Sequence, residues 1–294
     1  MSAEQVLAII GGSGLYRIEG LEGVETVRVD TPYGAPSDAV VRGHLGRTTL
    51  LFLPRHGQGH PIAPHRINYR ANVCALKQLG ATHLLSISAV GSMREEIAPG
   101  DFVVVDQFID LTRRRESTFF DEGVVAHVGF ADPVCPRLSG AAGDAAAAAM
   151  AQTKSGGRVH RGGTYVCIDG PQFSTRAESL LYRSWGVSVI GMTAMPEAKL
   201  AREAELPYAL LALATDYDCW HATEEDVTVD AVLAVLAKNV AGARATVIEL
   251  ARHVPPRDES PASRALASAV VTSRDSMPAS ARAKLEWLLK GSLP

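Results

Sequence analysis

The chain has 294 residues, 47% of them hydrophobic, and a formal net charge of -3, which is enough apolar material to fill a core without disulfides or metal staples. Acidic and basic residues are interspersed, so neither nucleic acid nor an anionic membrane surface is an expected partner. No apolar run approaches the ~20 residues of a membrane span and the N-terminus lacks the serial pattern of a secretory leader, so the expected location is the cytoplasm.

Taken in chain order, β-rich apolar runs fall at 6–10, 48–53, 83–87, 102–105, 164–168, 187–190 and 208–214. Segments with helical spacing fall between them at 68–78, 176–184, 196–205 and 229–250. This alternation predicts an α/β fold with a largely buried sheet and a site at the strand ends. An alanine-rich stretch at 141–152 predicts an exposed helix. From Val254 a polar, proline-rich linker leads to short helical patterns at 264–273 and 280–289. Residues 1–253 are thus expected to form one domain, and 254–294 a linker and helical tail packing on the same or a neighbouring subunit.

The four cysteines, Cys74, Cys135, Cys167 and Cys219, lack paired metal-ligand spacing and read as small core or site-edge residues. The nine histidines include no His-Glu-x-x-His and no His/Cys cluster at ligand spacing, so no metal site is expected. His60 and His65 flank a proline-containing loop that reads as a pocket rim.

Three strand ends carry anion-binding chemistry. Gly11-Gly12-Ser13-Gly14 follows the first strand and lets backbone N–H groups converge beside a hydroxyl, although it lacks both dinucleotide spacing and a P-loop lysine. Arg55-His56-Gly57 offers a planar charged fork and an imidazole. Residues 86–92, Ser-Ile-Ser-Ala-Val-Gly-Ser, add hydroxyls and backbone donors. A single tetrahedral oxyanion held by Ser13, Arg55, His56 and Ser88 accounts for all three loops. At 214–220 the last strand runs into Ala-Thr-Asp-Tyr-Asp-Cys-Trp. Period-two alternation there puts Asp216 and Asp218 on one side of an extended segment, where the pair could serve a metal, a water or a base.

These motifs resemble the trimeric purine nucleoside phosphorylase family, and within it the 5′-methylthioadenosine phosphorylase branch. The likeness runs from about Leu7 to Arg252. It rests on Ile-Ile-Gly-Gly-Ser-Gly-Leu at 9–15, Arg-His-Gly at 55–57, Asn-Tyr-Arg-Ala-Asn at 68–72, Gly-Pro-Gln-Phe-Ser-Thr-Arg-Ala-Glu-Ser at 170–179, Gly-Met-Thr-Ala-Met-Pro-Glu at 191–197 and the aspartate pair. The resemblance implies a mixed central sheet flanked by helices, a homotrimer, and phosphorolysis of a purine nucleoside with inorganic phosphate as co-substrate and no cofactor. It implies phosphate binding by Ser13, Arg55, His56, Ser88, Ala89 through its backbone, and Thr193. Met192 would lie against the ribose, and Phe173 with Ser174 would meet the purine. Val229, Val232 and Leu233, with His60 and a neighbouring subunit's His127, would surround the 5′ substituent.

In this reading Asp216 donates a proton to purine N7 and Asp218 accepts from a 6-amino group, which favours adenine over 6-oxopurines. Ser13 and Ser88 stand where that branch usually has threonine, and Gly191 where it has asparagine. Methylthioinosine phosphorolysis and a broader purine nucleoside phosphorylase are the alternatives within the family. A non-catalytic purine-binding protein and a metal-dependent hydrolase are the alternatives outside it.

Overall fold

The computed structural model describes residues 5–12, 14–15, 18–153, 157–221, 229–257 and 260–289. Ser13 lies outside them, as does the side chain of Val229.

The first strand, β1 (Gln5–Gly11), shows how the sheet is buried on both sides. Its side chains alternate between faces, and Leu7 and Ile9 enter one apolar cluster while Ala8 and Ile10 enter another. A strand covered on both faces reads as a continuous apolar run, as this one does. β1 pairs in parallel with β4 (Thr48–Pro54) and with β5 (His83–Ser92). β5 pairs in parallel with β11 (Tyr208–Asp216), and β11 in turn runs antiparallel to β6 (Phe102–Val105). β10 (Val189–Gly191) joins β5 antiparallel and β9 (Thr164–Cys167) parallel. The mixed sheet is completed by β2 (Glu22–Val27), β3 (Val40–Leu45), β7 (Gln107–Asp110) and β8 (Val159–Arg161).

The helices cover the two faces. Helices α1 (Tyr69–Gln78), α4 (Glu197–Glu203) and α6 (Ala279–Leu289) share the cluster that holds Ala8, Leu84 and Leu210. Helices α2 (Pro136–Thr153) and α5 (Val229–Arg252) share the cluster that holds Leu7, Leu85 and Leu211. α3 (Arg176–Ser184) begins with a reciprocal cap: the Thr175 hydroxyl accepts from Glu178 N–H while the Glu178 carboxylate accepts from Thr175 N–H.

Two expectations are corrected here. The alanine-rich helix is not an exposed one, because Ala142, Ala145 and Ala146 are buried in the cluster it shares with α5, and Ala149 is buried as well. Small side chains let the helix approach closely, and their burial leaves little hydrophobic contrast for a sequence pattern to show. Residues 264–273 do not form a helix. A short 3₁₀ turn at Pro261–Arg264 gives way to chain that bridges Ala126 to Val270 and sends His127 N–H to the Ala269 carbonyl, 2.8 Å away. Extended pairing captures backbone groups that a helix would have used internally. Beyond it, Leu285 and Leu288 of α6 are buried in the same cluster as β1, and Trp287 meets Phe119 edge-on with centroids 5.0 Å apart.

Ala146→Leu, in the α2–α5 contact, is expected to lower stability by about 1–3 kcal/mol through overpacking. Ala147→Leu, on the exposed side of the same helix, is expected to stay within about 0.5 kcal/mol of the parent. Urea denaturation of both variants checks this, and equal effects would contradict the buried placement of Ala146.

Candidate active site

Strand β5 is paired on one edge by β1 only as far as Ser86, and by β10 only from Gly91 onward. The backbone at 87–90 therefore has no strand neighbour on that edge, while β11 keeps pairing on the other. Hydrogen bonding fixes the alternation: Leu84 N–H bonds the Pro207 carbonyl on the β11 side, and Met93 N–H bonds the Ser188 carbonyl on the β10 side. Odd-numbered residues thus turn their backbone groups toward the gap, Ala89 among them. A cavity of about 470 Å³ opens there, and its lining includes Arg55, His56, Ser88, Ala89, Met192, Thr193, Asp216 and Asp218. This volume is in the range of small-ligand sites, and it sits where strand order breaks, as sites on such sheets do.

At one end of the cavity stand hydroxyl and cationic groups. Ser88 Oγ and Thr193 Oγ1 lie 3.1 Å apart, and both residues are buried. Arg55 leaves β4 directly into the interior. Its Nε and Nη2 form a bidentate pair with Glu197 at 3.0 and 3.2 Å, Nη2 also reaches Ser86 Oγ and the Ile10 carbonyl, and Nη1 donates to the Ile87 carbonyl. Burial alone would lower the Arg55 pKa; the Glu197 carboxylate outweighs it and raises the value. The guanidinium is charged and immobile, with one Nη1 hydrogen left over from these bonds.

His56 places Nδ1 2.8 Å from the Ile62 carbonyl. A carbonyl only accepts, so Nδ1 carries the hydrogen and the neutral ring keeps its lone pair on Nε2. Burial pushes the His56 pKa down to about 4. His60 stacks on its ring, with centroids 4.0 Å apart.

At the other end stand the carboxyls, reached by a different route from strand alternation. β11 ends at Asp216 after an irregularity in its pairing with β5. Asp218 lies beyond it in a turn, with φ 51°. Asp218 N–H donates to Asp216 Oδ1 at 2.8 Å, and the Thr215 hydroxyl donates to Asp216 Oδ2 at 2.7 Å. The Ser179 hydroxyl donates to Asp218 Oδ2. Burial raises the pKa of both carboxyls, against these hydrogen bonds, and the Asp216 charge adds to the rise at Asp218. A Cβ on Gly91 would stand 3.0 Å from Asp216 Oδ1, so glycine is what admits the carboxylate here.

The walls are apolar. Val232, Leu233, Leu236 and Val240 of α5 line one side with Leu15, and Phe173 stands at the rim, 47% exposed. Ser174 Oγ is buried without a hydrogen-bond partner among the described residues. His127 is exposed and does not line the cavity of its own chain. No three His, Cys, Asp or Glu side chains gather at metal-binding distance among the described residues.

With this geometry in place, the family model of the phosphorylase superfamily matches residues 6–252. The chain belongs to the phosphorylase superfamily. An S-methyl-5′-thioadenosine phosphorylase of Geobacter sulfurreducens is 54% identical over 287 residues, covering 97% of this chain and 98% of the relative. Another of that name, from Thermosynechococcus vestitus, is 54% identical over 96% of this chain and 97% of its own. The crystal structure of a methylthioadenosine phosphorylase from an Antarctic soil metagenomic library superposes with a TM-score of 0.90 at 47% identity, covering 98% of this chain and 99% of the other. The Schistosoma mansoni methylthioadenosine phosphorylase in complex with adenine gives a TM-score of 0.75 at 40% identity, over 84% and 91%.

Within this phosphorylase-superfamily fold, the sequence reading missed the residues that hold the site from behind. Glu197 fixes Arg55 and also accepts from the Tyr208 hydroxyl at 3.1 Å. Arg115, nearly inaccessible, donates to the carbonyls of Met192, Met195, Ile168 and Asp169, which ties together two loops of the cavity. Ser179 steadies Asp218. Glu197 and Ser179 belong to quoted motifs, but nothing in their spacing names their partners.

Between pH about 6.5 and about 4 the unfolded chain protonates His56 while the folded one does not. Stability is therefore full above the unfolded value and is lost as pH falls through that window, by roughly 2–3 kcal/mol from this group. His56→Gln is expected to show a correspondingly flatter urea-midpoint profile between those limits. A parallel profile would refute the neutral, buried ring.

Proposed function

We propose that this chain catalyses phosphorolysis of 5′-methylthioadenosine, giving adenine and 5-methylthioribose 1-phosphate. The observation that carries the reading is one cavity with anion donors at one end, a buried pair of carboxyls at the other and an apolar wall on α5. Breaking an N-glycosidic bond builds positive charge on the sugar and negative charge on the departing purine, so both ends of that dipole need a partner. A phosphate oxygen forms the new bond to C1′ as the C1′–N9 bond breaks, and the electron pair leaves with the base. Arg55, Ser88, Thr193, the Ala89 N–H and Ser13 hold the phosphate. His56, with its lone pair on Nε2, accepts from the proton that phosphate retains near neutral pH.

At the base, Asp216 holds a proton for N7, and the rise in its pKa on burial supports that role. Asp218 accepts from the 6-amino group. The Phe173 ring and the buried Ser174 hydroxyl meet the purine, Met192 the ribose, and His60, Val229, Val232 and Leu233 the 5′-methylthio group, whose apolar character the α5 wall suits. The working unit is a cytoplasmic homotrimer in which a neighbour's His127 closes the 5′ end. The apolar side chains Leu180, Leu181 and Trp185, exposed on and just after α3, support an assembly interface, and a single-chain mass by light scattering would overturn it.

A panel of methylthioadenosine, methylthioinosine, adenosine and inosine, each with and without phosphate, tests the central reading. Methylthioadenosine is expected to be cleaved best and only with phosphate; cleavage without phosphate would defeat it. Asp216→Asn is expected to lower kcat/KM for methylthioadenosine by about 10–100-fold relative to methylthioinosine, the worth of one mismatched buried hydrogen bond. An unchanged ratio removes the carboxyl from base selection.

A further inference from the structure

Near the end of β11 the register against β5 slips: Ala214 is paired with Val90 and Asp216 with Gly91. Thr215 is the extra residue of this bulge and has no partner residue on β5. It is buried, and it lines the cavity beside Asp216. Its hydroxyl reaches two acceptors, the Val90 carbonyl at 3.2 Å and Asp216 Oδ2 at 2.7 Å. A hydroxyl carries one hydrogen, so it serves them in turn. The other carboxyl oxygen, Asp216 Oδ1, is met by Asp218 N–H at 2.8 Å, a group that only donates.

We propose that Thr215 is a positioning residue for the proton of Asp216: its hydroxyl hydrogen stands on the Val90 carbonyl while the carboxyl is protonated and turns to the carboxylate once that proton has gone to the base. In the protonated state the carboxyl hydrogen needs an acceptor. Oδ1 already faces a donor, so the hydrogen sits on Oδ2, and Thr215 Oγ1 offers it a lone pair as soon as its own hydrogen points to Val90. When the C1′–N9 bond breaks, its electron pair leaves with the purine and the Asp216 proton passes to N7. Oδ2 is left as a buried anion, and rotation of the Thr215 hydroxyl brings a hydrogen to it. Only hydrogen bonds at Thr215 change. Burial raises the Asp216 pKa and the Thr215 hydrogen bond opposes the rise, as a donor to the ionised state does. The titratable group beside Asp216 is Asp218, itself held by the Ser179 hydroxyl of α3. The strands bring Gly91, the Val90 carbonyl and Ile190, and α5 its apolar wall, all without charge. This inference rests on the phosphorolysis reading for the destination of the proton, the departing purine.

The test is Thr215→Val, which keeps the shape and removes the hydroxyl, beside Thr215→Ser, which keeps the hydroxyl and removes the methyl. The Asp216 carboxyl is titrated in the resting protein by carbon-13 NMR, its signal assigned by its loss in Asp216→Asn, and the pH profile of kcat/KM for methylthioadenosine is measured by turnover. In Thr215→Val the ionised carboxyl loses a donor, so its apparent pKa is expected to rise by about one unit, the worth of one hydrogen bond to a charged group. The reactive form is the protonated one, so the alkaline limb of the profile moves up with it, while kcat at the optimum falls about tenfold because the carboxylate left behind is less well met. Thr215→Ser is expected to restore both to within threefold of the parent. An Asp216 titration that is unchanged or lowered in Thr215→Val overturns the proposal. So does a raised titration with unchanged kcat, and so does a serine variant that behaves like the valine one, the mark of methyl packing. Wild-type protein that cleaves no nucleoside defeats the phosphorolysis reading and leaves the carboxyl titration to decide whether Thr215 governs the Asp216 proton.

Discussion

The interrupted pairing along one edge of β5 is the constraint on which the site depends. A strand buried in a sheet must satisfy its backbone on both edges, and β5 does so with β1 up to Ser86 and with β10 from Gly91. Between them the chain accepts an opening. Because β10 runs antiparallel to β5, its exit carries Met192 and Thr193 back along that opening to meet Ser88. Because β11 runs parallel on the other edge, its end brings Asp216 opposite Gly91. The end with the hydroxyl and cationic groups and the end with the carboxyls are therefore both referenced to the same strand.

Holding the opening costs buried charge. Arg55 and Glu197 are almost completely withdrawn from water, which is unfavourable unless every polar atom finds a partner. Here the carboxylate receives Arg55 and Tyr208, and the guanidinium adds the carbonyls of Ile10 and Ile87 and the Ser86 hydroxyl. Those acceptors lie on β1 and β5, with α4 and β11 supplying Glu197 and Tyr208. The ion pair thus joins the elements that frame the cavity, and Arg115 does the same for the two loops beyond it.

Much of this was legible in the chain itself. Residues 6–10, 50–53, 102–105 and 208–214 carry unbroken apolar runs because both faces of the sheet are buried, and the glycine, arginine–histidine and serine motifs at the strand ends all reach the cavity lining. β2 was not legible, since its residues Glu22–Val27 face solvent almost throughout and show no apolar face. The aspartates were found by their spacing, but a left-handed turn at Asp218 brings them together, and φ does not show in a pattern of polar and apolar residues. Glu197 and Arg115 escaped for a common reason. Their meaning lies in partners many residues distant, such as Arg55 across 142 positions from Glu197, and only the folded sheet sets them side by side.

If the cavity takes phosphate as proposed, the pairing of Arg55 with Glu197 has a consequence for how that anion is greeted. The cation is cancelled before any ligand arrives, and the neighbouring imidazole is uncharged, so little net field reaches out into solvent from this mouth. Encounter is then left to unaided diffusion, and retention to short, directed donors that bulk salt screens poorly. Such a recess discriminates by the shape and protonation of an oxyanion more than by its charge. Its grip on the right anion is expected to survive changes of ionic strength that would loosen a lysine-lined cleft.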